Sequence, residues 1–226
     1  MHSTSLAVQP DFSRPGRSSE SKIEAQARDK RREHVSFHNN VSLEDVRRLL
    51  PLAQEAIGQL ATTEKVLEVA EFNPESVWLI QGKGEFASGF QAWLLFNEAG
   101  RDAVFDSAVD PINPELKFLC APGEKPALLY IWASYAPGRA AFAIPHIIDH
   151  FSSPRYSDVD IISWAAGVRG ERAMQRLGFS KGITVGGREF GHFWVIRRSP
   201  ASLKETRPRY DSYLPGARVG GIAVVR

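Results

Sequence analysis

The stretch from Leu128 to Phe179 constrains the fold of this 226-residue chain more than any other. Leu128-Leu129-Tyr130-Ile131-Trp132-Ala133 is a continuous apolar run without alternation, which reads as a central strand buried on both faces. The run ends in a Pro-Gly turn, Tyr135-Ala136-Pro137-Gly138-Arg139-Ala140, and an apolar helix is expected behind it over 140–151. Pro145 fits only the first turn of a helix, so that helix starts later than Ala140 or kinks. A second apolar strand is expected over 159–164 and a helix over 170–177. Gly178 then suits a left-handed C-cap and Phe179 a contact back onto the helix. Strand, tight turn, helix, strand, helix is a layout that can hold a nucleotide cofactor by its phosphates. Gly138 and Ala140 are nearly bare backbone, and a helix start adds unpaired N–H groups and a positive dipole end. An ordinary strand-to-helix turn uses the same residue types.

Taken together, the two halves of this stretch resemble the GNAT superfamily of acyl-CoA-dependent N-acyltransferases. In that family a loop Gln/Arg-x-x-Gly-x-Gly/Ala binds the CoA pyrophosphate; the last four positions of Tyr135 to Ala140 fit and the first does not. A later family motif, Asn-x-x-Ala-x-x-Leu-Tyr-x-x-Leu-Gly-Phe, falls on residues 167–179. Its Leu-Gly-Phe end is matched by Leu177-Gly178-Phe179, while the Asn, Ala and Tyr positions carry Gly167, Gly170 and Met174. The family's Tyr often protonates the leaving CoA thiolate, which a methionine cannot do. The resemblance spans about residues 40–198 in element order. It implies an α+β (α/β-like) GNAT fold: a central mixed, twisted sheet with a splayed strand pair, flanked by helices. It further implies acetyl-CoA or another acyl-CoA as co-substrate. Ile131, Trp132 and Ala133 on the bulged strand, and Tyr135, Ala136, Gly138, Arg139 and Ala140 in the turn, are the residues it places against that molecule. Free main-chain groups of the splayed strand would pair with the pantetheine arm as an added strand does. The acceptor is an amine on a small molecule or peptide.

Acyl transfer to an amine requires a positioned thioester, a polarised carbonyl and a deprotonated nucleophile. A main-chain N–H near residues 131–133 can polarise the carbonyl. Ser163, which interrupts an apolar strand, and His192, whose side-chain type titrates near neutrality, are the candidate catalytic residues. A small core serine bonded to backbone and a half-buried strand histidine are the plainer readings of the same two positions. Glu85 and Glu189 could act through water, and Tyr130 and Tyr135 are possible acids or simple packing. His146 and His150 stand four apart on a helix, but the zinc-protease pattern needs Glu directly after the first and the chain has Ile147, so no metal site is expected. No phosphate-binding Gly-x-x-x-x-Gly-Lys-Ser/Thr loop and no Gly-x-Ser-x-Gly elbow occurs. Cys120 has no activating neighbour in its loop.

A single cysteine excludes an internal disulfide and fits a reducing compartment. No apolar run reaches the ~20 residues that span a bilayer, and the N-terminus lacks a secretory pattern. A cytoplasmic protein with no membrane partner is expected, and a homodimer is compatible with the sequence. Residues 35–196 carry fourteen Lys/Arg against nineteen Asp/Glu, and residues 197–226 seven against two. An acidic body is poorly suited to nucleic acid, which needs clustered cations. Three segments are expected: an arm over 1–40, an acyltransferase-like domain over 41–198 and a basic tail over 199–226. Within the domain, Ser42 caps a helix that Pro51 ends or kinks, and a short helix follows over 63–70. Strands over 76–81 and 86–97 form the first hairpin, 98–101 a turn, 102–109 a short strand and 110–127 a loop. Residues 190–196 form the last strand of the sheet, and 222–225 could add an edge strand or dock on a partner. A catalytically degenerate GNAT-fold binding protein and an acyltransferase for longer acyl donors are the alternative functions.

Overall fold

In the computed structural model of the protein, residues 35–82 and 86–199 are described, together with the backbone of 222–223. Their strands are β1 (Ser36–His38), β2 (Val77–Gln81), β3 (Ala87–Phe96), β4 (Leu128–Tyr135), β5 (Ile161–Ser163), β6 (Ser180–Val185), β7 (Arg188–Ile196) and β8 (Ile222–Ala223). They form one mixed sheet in the order β1-β2-β3-β4-β5-β7-β6, with β8 joined to β4 off that path. From β1 to β4 each neighbouring pair is antiparallel, β5 lies parallel to β4, and β7 and β6 return antiparallel.

Helices cover both faces. α1 (Leu43–Ile57) begins where Ser42 Oγ accepts the Asp45 N–H at 3.1 Å, and α2 (Thr63–Phe72) begins on Thr62 in the same way. α1 runs through Pro51 rather than ending there, and buries Val46, Leu49, Leu50 and Ala53. With α3 (Glu98–Phe105), these helices close a first core that takes Leu79, Leu94, Tyr130 and Ile162 from the sheet. α4 (Ile144–His150) and α5 (Gly167–Arg176) close a second core on the opposite face, around Trp93, Ile131, Ile161 and Phe151. β4 is buried along all eight residues and feeds alternate side chains to the two cores from Leu128 to Trp132, as its unbroken apolar run requires.

Several elements differ from expectation, each for a local reason. Residues 98–105 are the helix α3, not a turn leading to a strand. Asn97 Oδ1 accepts the Gly100 N–H at 2.9 Å, so Asn97 is an N-cap, and Gly100 is small because a Cβ there would lie 2.2 Å from the Phe118 carbonyl oxygen. The glycine marks a close approach of chains rather than a bend. The sheet opens with β1, inside the segment expected as an arm, so the 77–81/87–96 hairpin is its second pairing. β6 adds a strand that the sequence reading left out. Pro145 lies in the first turn of α4, which starts at Ile144 after a 3-10 turn over Gly138–Ala143. Residues 1–34 of the expected arm lie outside the described residues, as does most of the tail.

Candidate functional site

β4 and β5 run together only briefly. The Leu129 N–H donates to the Asp160 carbonyl at 3.0 Å, and Leu129, Tyr130 and Ile131 pair with Ile161, Ile162 and Ser163. β5 then stops at Ser163, whereas β4 continues to Tyr135 with β3 still paired on its other side. The cause of the parting is visible in the β3–β4 register. Ala92 opposes Ala133 and Trp93 opposes Ile131, so Trp132 is an extra residue, a β-bulge. The bulge turns both Trp132 and Ala133 toward the first core, breaking the alternation of the strand. Trp132 Nε1 donates to the Pro111 carbonyl at 2.6 Å, which ties the 110–127 loop to the bulge.

An antiparallel set of four strands, a bulged β4 parting from a parallel β5, and a terminal β6–β7 hairpin inserted beside β5 define the architecture. It is the α+β architecture, a mixed sheet with a splayed strand pair, that the resemblance to the GNAT superfamily implied.

The turn after β4 has the geometry its small residues suggest, by a different logic. Gly138 has a φ of +56°, a Cβ there would meet nothing within 4 Å, and both Gly138 and Arg139 face solvent. Ala136 and Ala140 are buried instead. The Ala140 N–H closes the turn onto the Pro137 carbonyl at 3.1 Å, so it locks the turn. Beneath lies Gly89 of β3. A Cβ on Gly89 would stand 2.4 Å from the Tyr135 carbonyl oxygen, 3.2 Å from Ala136 Cα and 3.4 Å from Ala140 Cβ. Smallness at Ala136 and Ala140 therefore seats the turn on β3. Sequence reasoning missed Gly89, although a glycine inside a strand pattern is the known sign of a close backbone approach.

Ser163 lies at the parting, and His192 lies on β7 just beyond the last β5–β7 pair. Ser163 is the last paired residue of β5, fully buried, and its hydroxyl donates to the Ile131 carbonyl at 3.3 Å. It pins the two strands at the point where they diverge. His192 lies on β7, two residues before Trp194, the partner of Ser163. Its ring packs 5.0 Å from Trp164 and 4.2 Å from Phe193 while its outer side stays open, and desolvation holds its pKa below the ordinary histidine value.

Other candidates are placed elsewhere. Tyr130 is buried in the first core, which pushes its pKa up. Tyr135 packs its ring 6.3 Å from Phe90. Met174 points into the second core and is fully buried. Glu189 is exposed at the start of β7, and Glu85 lies outside the described residues. The His150 ring rests 4.7 Å from Trp78, and no cluster of three or more metal-type ligands occurs among the described residues. Cys120 is buried, with its thiol pushed up to about 11 by desolvation and by Glu124. β8 pairs in parallel with β4, Ser134 opposite Ile222 and Tyr135 opposite Ala223. It therefore joins the sheet inside the parting, on the side that β5 has left; the sequence allowed an edge strand or docking on a partner and did not place it there.

No family model matches the chain, and no curated protein matches it. Among solved structures, the chain is similar to an aminoglycoside acetyltransferase, AAC(6')-Ib, in complex with coenzyme A. The identity is 14%, the match covers 73% of this chain and 95% of that one, and the TM-score is 0.42. The fold assignment rests on strand order, bulge and parting.

Proposed function

We propose that the protein is an N-acyltransferase that takes an acyl group, most simply acetyl, from an acyl-CoA and passes it to a primary amine. The observation that carries this reading is the parting of β4 from β5 beyond the Trp132 bulge, on a strand that leads directly into the Gly138 turn. A main-chain edge for an extended amide-bearing arm thus adjoins solvent-facing Gly138 and Arg139, which suit a diphosphate. Ile131, Trp132, Ala133, Tyr135 and Ala136 line the arm's path through their backbone, since their side chains are buried.

His192 is the proton acceptor in this reading. Partial desolvation on its packed side favours the neutral imidazole, which can take a proton from the attacking ammonium. Nitrogen bonds to the thioester carbon, the carbon–sulfur bond breaks, His192 returns its proton to the thiolate, and the second proton that the former ammonium must lose leaves to water. Ser163 acts by position, holding Ile131 where the strands separate. The test is calorimetric titration with CoA, followed by thiol release from acetyl-CoA with a panel of amines. Binding and release support the reading, and no binding at millimolar CoA refutes it.

The second reading, a GNAT-fold binding protein without catalysis, is favoured by Met174, which is buried where the family motif has a proton-donating tyrosine. CoA binding without thiol release from any amine would select it.

A further inference from the structure

The free side of β4 has an occupant within the chain. Beyond Ile131, the strand has β3 on one edge and no β5 on the other, yet Trp132 to Tyr135 are all buried. Main-chain N–H and C=O groups that face such a gap need partners, because an unpaired buried one costs as much as a lost hydrogen bond. β8 supplies them. It runs parallel to β4, pairs at Ser134 and Tyr135, heads toward the Gly138 turn, and lies beside α1 and α5. The pairing extends over two residues only, which makes it easy to open.

We infer that the C-terminal segment at Ile222–Ala223 is a built-in competitor for the β4 edge, so that docking of this segment and binding of an extended acyl-donor arm are mutually exclusive. The second half of this inference rests on the proposed function; the docking does not. A ligand that must first displace the segment binds more weakly by the fraction of time the edge is free. The protein would then keep its parted strands paired when donor is scarce and release the tail when donor binds.

The experiment uses the full chain and the double substitution Ile222→Pro/Ala223→Pro, which removes two N–H donors from β8 without touching the site. Hydrogen exchange at the amides of β4 is followed with and without CoA, alongside CoA titrations. In the unliganded wild type, the β4 amides at 134–135 that face the gap should be protected, and the double substitution should expose them. CoA should restore their protection in the variant, speed exchange at 222–223 in the wild type, and bind the variant on the order of tenfold more tightly. Equal exchange at 134–135 in both unliganded proteins overturns the docking. Lost protection with unchanged or weaker CoA affinity overturns the competition. If neither protein binds CoA, the acyltransferase reading and the competition fall together, while the exchange comparison still decides the docking.

Discussion

Gly89→Ala tests whether the turn after β4 is held by close contact with β3. The added methyl would stand 2.4 Å from the Tyr135 carbonyl oxygen, so the turn would have to retreat by about 1 Å to reach the 3.4 Å of ordinary contact. Three of the atoms it meets belong to the turn or its approach, and two of these are backbone, which cannot rotate away. Over-packing of this kind costs about 1–3 kcal/mol. A glycine-to-alanine change also removes freedom from the unfolded chain, which returns about 0.4–1 kcal/mol. The clash wins, leaving a net loss of about 1–2 kcal/mol, or a drop of roughly 2–8 °C in Tm for a domain of this size. Because the displaced atoms carry Gly138 and Arg139, CoA affinity should also fall by about tenfold, equivalent to about 1.4 kcal/mol. Gly191→Ala is the control: it lies in β7, its φ is not left-handed, and its Cβ would meet nothing within 4 Å. That variant should melt at or slightly above the wild-type temperature. Thermal melts and CoA titrations of the three proteins decide the matter. If Gly89→Ala melts like Gly191→Ala and binds CoA as the wild type does, the seating of the turn on β3 is wrong.

Further outcomes are expected at three residues. Since burial lowers the His192 pKa, the unfolded chain takes up this proton more readily than the folded one. The stability contributed is complete above the ordinary histidine pKa and is lost as pH falls below it, so His192→Gln should shallow the acid side of a stability-versus-pH curve. The same variant should lower kcat/KM by about 10²–10⁴-fold and remove an acid limb centred below 6.5; an unchanged profile excludes His192 as the base. Ser163→Ala should cost about 1 kcal/mol in chemical denaturation through the lost bond to Ile131, with kcat per folded molecule little changed; a thousandfold loss of kcat would instead make the hydroxyl chemical. Cys120, with its pKa near 11 instead of 9.0, should alkylate about 100-fold more slowly than an unperturbed thiol at pH 8, and faster only on unfolding.

Legibility in the sequence followed the strength of the local signal. The β4 run, the Leu177-Gly178-Phe179 stop and the Pro145 constraint all depend on chain-local physics, and each is found in place: β4 is continuous, Gly178 has a φ of +86°, and Pro145 begins α4. α3 was hidden because Gly100 and the Glu98 region carry a turn's composition, and only the packing of Phe118 explains the glycine. β6 starts at Ser180, directly after the α5 stop, and carries Gly182 at a φ of +86° inside its own irregularity, so its apolar pattern is interrupted. The partner of β8 was out of reach for another reason. Residues 222–225 are visibly strand-forming, but the edge that Ile222 and Ala223 meet is left by a bulge at Trp132 and an early end of β5, which are properties of pairing and not of composition.

The inventory of protons narrows the proposed chemistry further. Met174 carries no exchangeable proton and is buried, Tyr130 is buried with its phenol pushed away from ionisation, and Ser163 already spends its hydroxyl on a carbonyl. In the proposed reading His192 is the base, open on one side and desolvated on the other. Once it has taken a proton from the amine it becomes an imidazolium in a setting that disfavours the charge, and so is a stronger acid than histidine in water. The group that accepts the first proton is therefore well suited to give it to the departing thiolate, and no separate acid is required. A solvent isotope effect on kcat with acetyl-CoA that disappears in His192→Gln, together with loss of the acid limb, is the signature of this shared proton. Persistence of the isotope effect in the variant would mean that water, not His192, protonates the thiolate.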